Sequence, residues 1–179
     1  VMVCSAHGDV WRVRGIASSS RNITWQRYAT GLYQPLGLKV LDGLVYVLGR
    51  DQITRLEDRD GNGEADFYAA FCNLAAVPGH DHLYSMSLET DAQGNFYFVK
   101  SGDRNTLHGG ALLKVSPDGS SIEVEATGFR HANGLGSGPF LTTADNEGNW
   151  TPATRLNRIE TGGFYGYQPA NRAPGEEPT

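Results

Sequence analysis

The sequence predicts an all-β fold, and three observations support this prediction. Helical periodicity is scarce along the 179 residues, whereas short runs rich in Val, Ile, Tyr, Phe and Trp recur between Gly, Asp and Asn turns. The centres of these runs lie about ten residues apart, a spacing typical of antiparallel hairpins. One segment also repeats, because YATGLYQPLGL at 28–38 returns as EATGFRHANGL at 125–135, 97 positions later.

The repeat indicates how the strands are grouped. An aromatic strand after a turn occurs at 43–48 and 94–100, and an apolar-basic strand follows at 53–56, 112–115 and 154–159. Two such units in 97 residues give a repeat of about 45 to 50 residues with four strands each, which is typical of a β-propeller. The predicted strands are 1–6, 9–13, 24–30, 36–41, 44–48, 52–56, 66–71, 84–90, 95–100, 111–116, 122–126, 140–144 and 154–159.

We therefore expect one partial β-propeller domain over 1–179, built of four-stranded antiparallel blades. The predicted blade edges are near 1–35, 36–78, 79–130 and 131–179. The chain then covers about three to four blades of a ring that we expect to have six in the full protein. Either another polypeptide or the rest of a longer protein would complete the ring. A β-sandwich is less suitable, because its strands do not repeat a constant motif at each inner position.

Composition excludes several classes of protein. Twenty acidic and fifteen basic residues give a formal charge of -5, and the basic residues are scattered, so nucleic acid is not an expected partner. No run approaches the roughly 18 apolar residues of a transmembrane segment. No signal peptide is visible and the chain begins at Val1, so we expect a fragment or a processed product. Cys4 and Cys72 cannot form a disulfide-rich scaffold; sequence leaves their pairing open and favours free thiols.

The strongest local motif, DRDGNGEAD at 58–66, resembles the first half of a calcium-binding loop. Oxygen ligands alternate along it and Gly63 occupies the sixth position, where a sharp turn is needed. The twelfth position, where a bidentate glutamate belongs, is Ala69. The alternative is an Asp/Asn/Gly turn without an ion. The predicted Ca²⁺ ligands are Asp58, Asp60, Asn62, Glu64 and Asp66.

A second group of candidates lies in the glycine-rich stretch 126–148. Arg130 offers a rigid fork of donors and Asn133 both a donor and an acceptor, which suits a planar ligand rich in carbonyls and carboxylates. The alternative is that the glycines only supply turns and Arg130 a surface ion pair. Asp145 to Glu147 crowd a turn where an inner strand ends, and the aromatic loop 162–167 either covers a flat ligand or packs between blades.

Histidines mark a third candidate, GHDHLY at 79–84. His80 and His82 would share one face of a strand, as metal ligands do, but further ligands are not evident. A positioned imidazole could instead act as a general base near neutral pH, or be an inert loop residue.

Together these motifs resemble the propeller domains of the glucose/sorbosone dehydrogenase-like quinoproteins, in particular the large bacterial sorbosone-dehydrogenase-like proteins often fused to c-type haem domains. The resemblance runs through PLGLKVLDGLVYVLGRDQITRLEDRDGNGEADFY, HDHLYSMSLETDAQGNFYF, LLKVSPDGSSIEVEATGFRHANGLG, DNEGNWTP and GGFYGYQP. It implies pyrroloquinoline quinone (PQQ) as cofactor, with Arg130 and Asn133 at the quinone, His82 as general base, and Glu147 and Gly148 at the cofactor turn. In the well-known members the Arg and Asn are adjacent, whereas two residues separate them here.

The function implied by the resemblance is oxidation of a sugar or sugar-derived aldehyde or alcohol with PQQ. It also implies a periplasmic or cell-surface location and a c-type cytochrome partner, which would lie outside this chain because no CxxCH motif occurs. Two alternatives remain: a calcium-stabilised, non-catalytic propeller that acts as a binding or assembly module, and a calcium-dependent lactonase-like hydrolase.

Overall fold

The chain forms four consecutive antiparallel sheets, each assembled from strands adjacent in sequence. The structure is a computed structural model that describes residues 1–16, 22–75, 77, 82–102, 106–146 and 154–167. No α-helix occurs in these ranges, so they contain no helix that could cross a membrane. The strands are β1 (Met2–Cys4), β2 (Val10–Arg14), β3 (Thr24–Ala29), β4 (Gly37–Leu41), β5 (Leu44–Leu48), β6 (Ile53–Glu57), β7 (Phe67–Cys72), β8 (Ser85–Thr90), β9 (Phe96–Lys100), β10 (Ala111–Val115), β11 (Ile122–Thr127), β12 (Asn133–Gly136), β13 (Thr142–Asp145) and β14 (Arg155–Arg158).

The sheets are arranged as propeller blades around a common side. The second and third sheets have four strands, β4 to β7 and β8 to β11, while the first and fourth have three each in the described chain. The first strands of neighbouring sheets contact one another, β4 with β8 and β8 with β12. Successive sheets therefore present their inner strands to one axis, and the predicted all-β propeller is confirmed.

Alternate side chains of the second strand in each blade pack into different cores. In β5, Val45 and Val47 pack against the first sheet, whereas Tyr46 and Leu48 pack against the third. The same alternation in β9 divides its residues between the second and fourth sheets. Because successive side chains of a strand point to opposite faces, a strand buried on both faces must be continuously apolar. This explains the runs LVYVL and FYFV.

An aromatic cluster holds the second and third sheets together. The rings of Tyr46, Phe71 and Phe96 lie with centroids 4.7 to 5.2 Å apart in tilted and edge-to-face arrangements. Next to it, Gly119 has a φ of +76°, and a Cβ added there would overlap the Phe71 carbonyl oxygen. A glycine is therefore required where this hairpin meets the preceding blade.

The structure also defines the burial of the two cysteines and the packing of the aromatic loop 162–167. Cys4 is half-buried and Cys72 buried, and both are free thiols, as the sequence favoured. Tyr165 stacks on Phe129 with centroids 4.9 Å apart, and its backbone N–H donates to the Thr127 carbonyl in the third sheet. The loop 162–167 thus packs between blades, which is one of the two interpretations given for it above.

Candidate active site

A cleft of about 710 Å³ opens between the third and fourth sheets, at the end where β8 begins and β13 ends. It brings together three of the residues singled out from the sequence, His82, Arg130 and Asn133. Glu147 and Gly148, the other two predicted cofactor residues, lie outside the described residues. The cleft is lined by His82, Tyr84, Met86, Arg130, His131, Asn133, Ala144, Asn146 and Thr154.

A buried carboxylate fixes the connector that carries the site. Asp145, the last residue of β13, is fully buried and accepts hydrogen bonds from the backbone N–H groups of Arg130 and His131, each at 3.0 Å. The Arg155 guanidinium lies 3.7 Å from the same carboxylate. Hydrogen bonds to an ionised acceptor are the stronger kind, so the connector backbone is held firmly. Sequence reasoning placed Asp145 in a crowded turn but did not identify this anchoring role.

Arg130 is held by its backbone while its side chain stays on the cleft. Its carbonyl accepts the Gly102 N–H at 2.5 Å, which ties it to the third sheet. The guanidinium donates to the Asn146 side-chain oxygen at 3.3 Å, and both residues line the cleft. A cation beside an amide at the wall of an open cleft suits an anionic, carbonyl-rich ligand.

Asn133 begins β12, and its side chain is oriented by the neighbouring inner strand. The amide oxygen of Asn133 accepts the Gly134 N–H at 2.8 Å and lies 3.4 Å from the Ser87 hydroxyl. Ser87 itself has a φ of +62°, an unusual backbone conformation for a residue with a side chain, and its Oγ accepts N–H bonds from Gly134 and Leu135. Asn133 also lines the cleft.

His131 is a residue whose role the sequence did not reveal. Its ring Nδ1 lies 3.0 Å from the Ser101 Oγ, and the ring is half-buried at the cleft wall. Burial lowers the pKa of His131, the electrostatic interactions with Arg130 and His82 lower it further, and Asp145 partly opposes them. The imidazole is therefore neutral at pH 7. One signal could have found it: His131 stands where the first copy of the repeat has Gln34.

His82, the predicted general base, lies in the turn before β8 and lines the same cleft. Its side chain is exposed, in contrast to that of His131, and its electrostatic interaction with His131 contributes to the lowered pKa of His131. Two imidazoles thus share one cleft. His80, the other histidine of the motif, lies outside the described residues.

The predicted calcium loop lies in the β6–β7 hairpin and is organised by its own carboxylates. Asp58 Oδ2 accepts the Gly63 N–H at 2.9 Å, and Asp60 Oδ1 accepts the Asn62 N–H at 3.1 Å. Glu64 contributes its backbone N–H, which donates to the Asn62 side-chain oxygen at 2.8 Å. These are the bonds of an Asx turn, which was the alternative interpretation.

Two further observations bear on calcium. Asp66 accepts the N–H groups of Arg59 and Asp60, and within the described ranges no group of three His, Cys, Asp or Glu side chains is gathered as metal ligands. However, Asp58 Oδ1 is buried and has no hydrogen-bond partner among the described residues. A buried carboxylate oxygen without a donor fits a cation, so Ca²⁺ at this loop stays a prediction.

Comparisons with known proteins identify the fold. No family model matches the sequence, and no curated protein matches it. Among solved structures, the chain is similar to an oxidoreductase (glucose dehydrogenase) from Thermus thermophilus, with a TM-score of 0.71, 17% identity, and coverage of 98% of this chain and 63% of that one. It is also similar to a glucose dehydrogenase, with a TM-score of 0.72, 12% identity, and coverage of 92% and 58%. A chain of a nidogen/laminin complex gives a TM-score of 0.60 at 14% identity, covering 80% and 52%.

The predicted resemblance to glucose dehydrogenase-like propellers is therefore confirmed at the level of fold. The chain spans less than two thirds of the length of these structures, at 52 to 63%. Identities of 12 to 17% carry the fold and leave the chemistry to be argued from the cleft.

Proposed function

We propose that this chain is part of a quinoprotein-type dehydrogenase that oxidises a sugar, or an aldehyde or alcohol derived from a sugar, with PQQ as cofactor. The observation that carries the proposal is the convergence of His82, Arg130 and Asn133 on one cleft. These residues come from two separate parts of the sequence, and the resemblance assigns each of them to the same reaction. The glucose dehydrogenases of similar fold support an oxidoreductase class.

The donors of the cleft fit such a cofactor. PQQ is planar and carries carboxylates and carbonyls, which require cationic and N–H donors. Arg130 supplies a charged donor fork, and Asn133, whose side chain carries an amide donor, lines the same cleft. When bound, the quinone would accept a hydride from the substrate carbon. Arg130 would bind and orient its anionic groups, because an arginine contact to a carboxylate is both strong and directional.

The protein's own part in the chemistry is to move a proton. Oxidation of an alcohol requires removal of the hydroxyl proton, and an imidazole that is neutral at pH 7 can accept it. The resemblance gives this role to His82, which lines the cleft. The proposal further includes a c-type cytochrome or another domain outside this chain as electron acceptor, and a periplasmic or cell-surface location.

The test is quinone binding and dye reduction by the complete protein that contains this chain. The protein is incubated with PQQ, with Ca²⁺ or with a chelator, and a panel of sugars is assayed. We expect Arg130→Gln to weaken PQQ binding by roughly 10- to 100-fold, the range for loss of a charge-assisted contact. Arg27→Gln, which alters an exposed arginine on β3, is the matched control and should leave binding unchanged. Failure of the unaltered protein to bind PQQ would refute the proposal.

A second candidate is a non-catalytic propeller that serves as a binding or assembly module. The similar fold of a chain in a nidogen/laminin complex favours it, since propellers also occur in an assembly of that kind. The two candidates predict different results in the same assay. A binding module would give neither PQQ retention nor dye reduction, and Arg130→Gln would have no effect on either.

A further inference from the structure

The two histidines of the cleft are held differently, and this difference points to the one that accepts the proton. His131 is fixed by its backbone N–H on the buried Asp145 and by its ring Nδ1 at the Ser101 hydroxyl. We infer that His131, oriented by Ser101, is the proton acceptor of this cleft in place of His82. The inference rests on the proposed function and assigns a catalytic role to a residue that the family resemblance leaves without one.

Ser101 is itself a rigid support. It is 3% exposed, and its backbone N–H donates to the Tyr84 carbonyl at 2.9 Å while its Oγ accepts the Tyr84 N–H at 2.9 Å. Its carbonyl accepts the Gly110 N–H at 2.9 Å. The hydroxyl oxygen is therefore fixed in position between two parts of the third sheet. A side chain held this way can orient an imidazole as a carboxylate or carbonyl does in other enzymes.

The same contact leaves Nε2 of His131 available to the substrate when Nδ1 donates to the Ser101 Oγ. One lone pair of the Ser101 Oγ is used by the Tyr84 N–H, and the other can accept the proton of His131 Nδ1. In that tautomer Nε2 carries the free lone pair, and it is the nitrogen left for a ligand in the cleft. His131 thus has the defining arrangement of a general base, in which a third group orients the ring.

The charges around His131 are consistent with this role. Arg130 and His82 face it from its own connector and from the turn before β8, and Asp145 faces it from β13. Burial lowers the pKa of His131, the electrostatic interactions with Arg130 and His82 lower it further, and Asp145 raises it in part. The balance keeps the ring neutral, and so able to take a proton, at pH 7.

The proton transfer is simple to balance. The substrate O–H bond breaks, the proton passes to Nε2 of His131, and the electron pair stays on oxygen to become the second bond of the carbonyl. The hydride leaves the substrate carbon with two electrons for the quinone-class cofactor of the proposed function. His131 then returns its proton to solvent through the open cleft.

The first experiment reads the tautomer directly. In the complete protein without cofactor, ¹⁵N NMR of the histidine rings, assigned with His131→Gln, should show Nδ1 of His131 protonated and Nε2 unprotonated at pH 7, with a titration midpoint below the ordinary histidine value of 6.5. Ser101→Ala should abolish the tautomer preference, and Ser101→Thr should restore it. An Nε2–H tautomer overturns the inference, whether or not the protein oxidises sugars.

The second experiment uses the PQQ-loaded protein. We expect His131→Gln to lower kcat by about 10²- to 10⁴-fold, the usual contribution of a general base, with PQQ binding within about threefold of wild type. His82→Gln should change kcat by less than about tenfold, and the control His7→Gln should change nothing. A larger kcat loss for His82→Gln than for His131→Gln overturns the inference. An inactive wild-type protein with the Nδ1–H tautomer refutes the dehydrogenase alone and supports His131 as a base for another substrate.

Discussion

Replacing Lys100 with methionine should remove a dependence of stability on pH between about 8 and 10.5. Lys100 ends β9 and is 1% exposed, and the period of the strand puts it on the same face as Phe96 and Phe98. Burial lowers its pKa from 10.5 to about 8. The lowering from 10.5 to about 8 corresponds to about 3.5 kcal/mol, since a tenfold change in an equilibrium constant is about 1.4 kcal/mol. Methionine keeps the length and apolar stem of the side chain without the buried charge.

The sign and the pH range follow from the same shift. Because the folded-state pKa is depressed, the unfolded chain binds the lysine proton more readily between pH 8 and pH 10.5. Wild-type stability should therefore fall as the pH drops through this range and carry the full cost below pH 8. Lys100→Met removes this dependence. The stability of the variant relative to wild type should therefore be higher at pH 7 than at pH 10.5 by about 3.5 kcal/mol.

Urea denaturation of wild type and variant at pH 7, 8.5 and 10 measures this difference. Taking the difference at each pH cancels the contributions of the tyrosines and thiols that titrate in the same range. The matched control is Lys114→Met, on the neighbouring strand β10, where the side chain is half-buried. A stability difference between variant and wild type that does not vary with pH would refute the reasoning.

Three further predictions concern the scaffold. Asp145→Asn should lower the free energy of unfolding by about 2 kcal/mol, because a neutral amide accepts the two backbone N–H bonds less strongly than the carboxylate does. Thermal denaturation measures this loss, and an unchanged midpoint would contradict the prediction. Gly119→Ala should lower the free energy of unfolding more than Gly162→Ala does. Both glycines have a positive φ, but only at position 119 would the added Cβ overlap Phe71. Urea denaturation measures both losses, and equal losses would refute this prediction. Calcium should raise the melting temperature of the wild-type protein but not that of Asp58→Asn. If calorimetric titration of the wild-type protein with Ca²⁺ gives no heat of binding, the calcium site is excluded.

The fold was predictable because its signal is periodic. Blades repeat, so each strand type recurs at a fixed distance, and the buried second strands are continuous apolar runs that stand out from the turns. The Asp42–Gly43 dipeptide adopts positive φ at both residues between β4 and β5, as expected for a two-residue hairpin turn. These are local properties, and sequence carries them directly.

One inner strand was missed because its signal is not local. Residues 133–136 were interpreted as part of a glycine-rich loop, yet they form β12, paired with β13. Asn and Gly are poor strand formers, so the strand depends on pairing and on the Ser87 hydroxyl bonded to its backbone. The two copies of the repeat also do not share one backbone conformation throughout. Gly31 and its counterpart Gly128 both have a positive φ, whereas Gly134 has a φ of +76° and its counterpart Gly37 has no positive φ.

The candidate site was predictable where side chains depart from the repeat, and not where they support it. Arg130 and Asn133 stood out because the first copy has Tyr33 and Leu36 at those positions. Ser101 gave no such signal, and Asp145 stood out only as one of three neighbouring polar residues in a turn. Their role arises only when the third and fourth sheets meet, a tertiary contact that one sequence does not encode in any local pattern.

The division of β5 and β9 between two cores has a consequence for how the molecule unfolds. The blades that contain β5 and β9 share both of their hydrophobic cores with neighbouring blades. Alternate side chains of these two strands pack against the blade on one side and the blade on the other. Opening one blade exposes both adjacent cores, so local unfolding should spread across the array as one cooperative unit. The cleft lies at the junction of two blades. Its geometry therefore persists only while all the blades remain folded, and amide hydrogen exchange would report their opening.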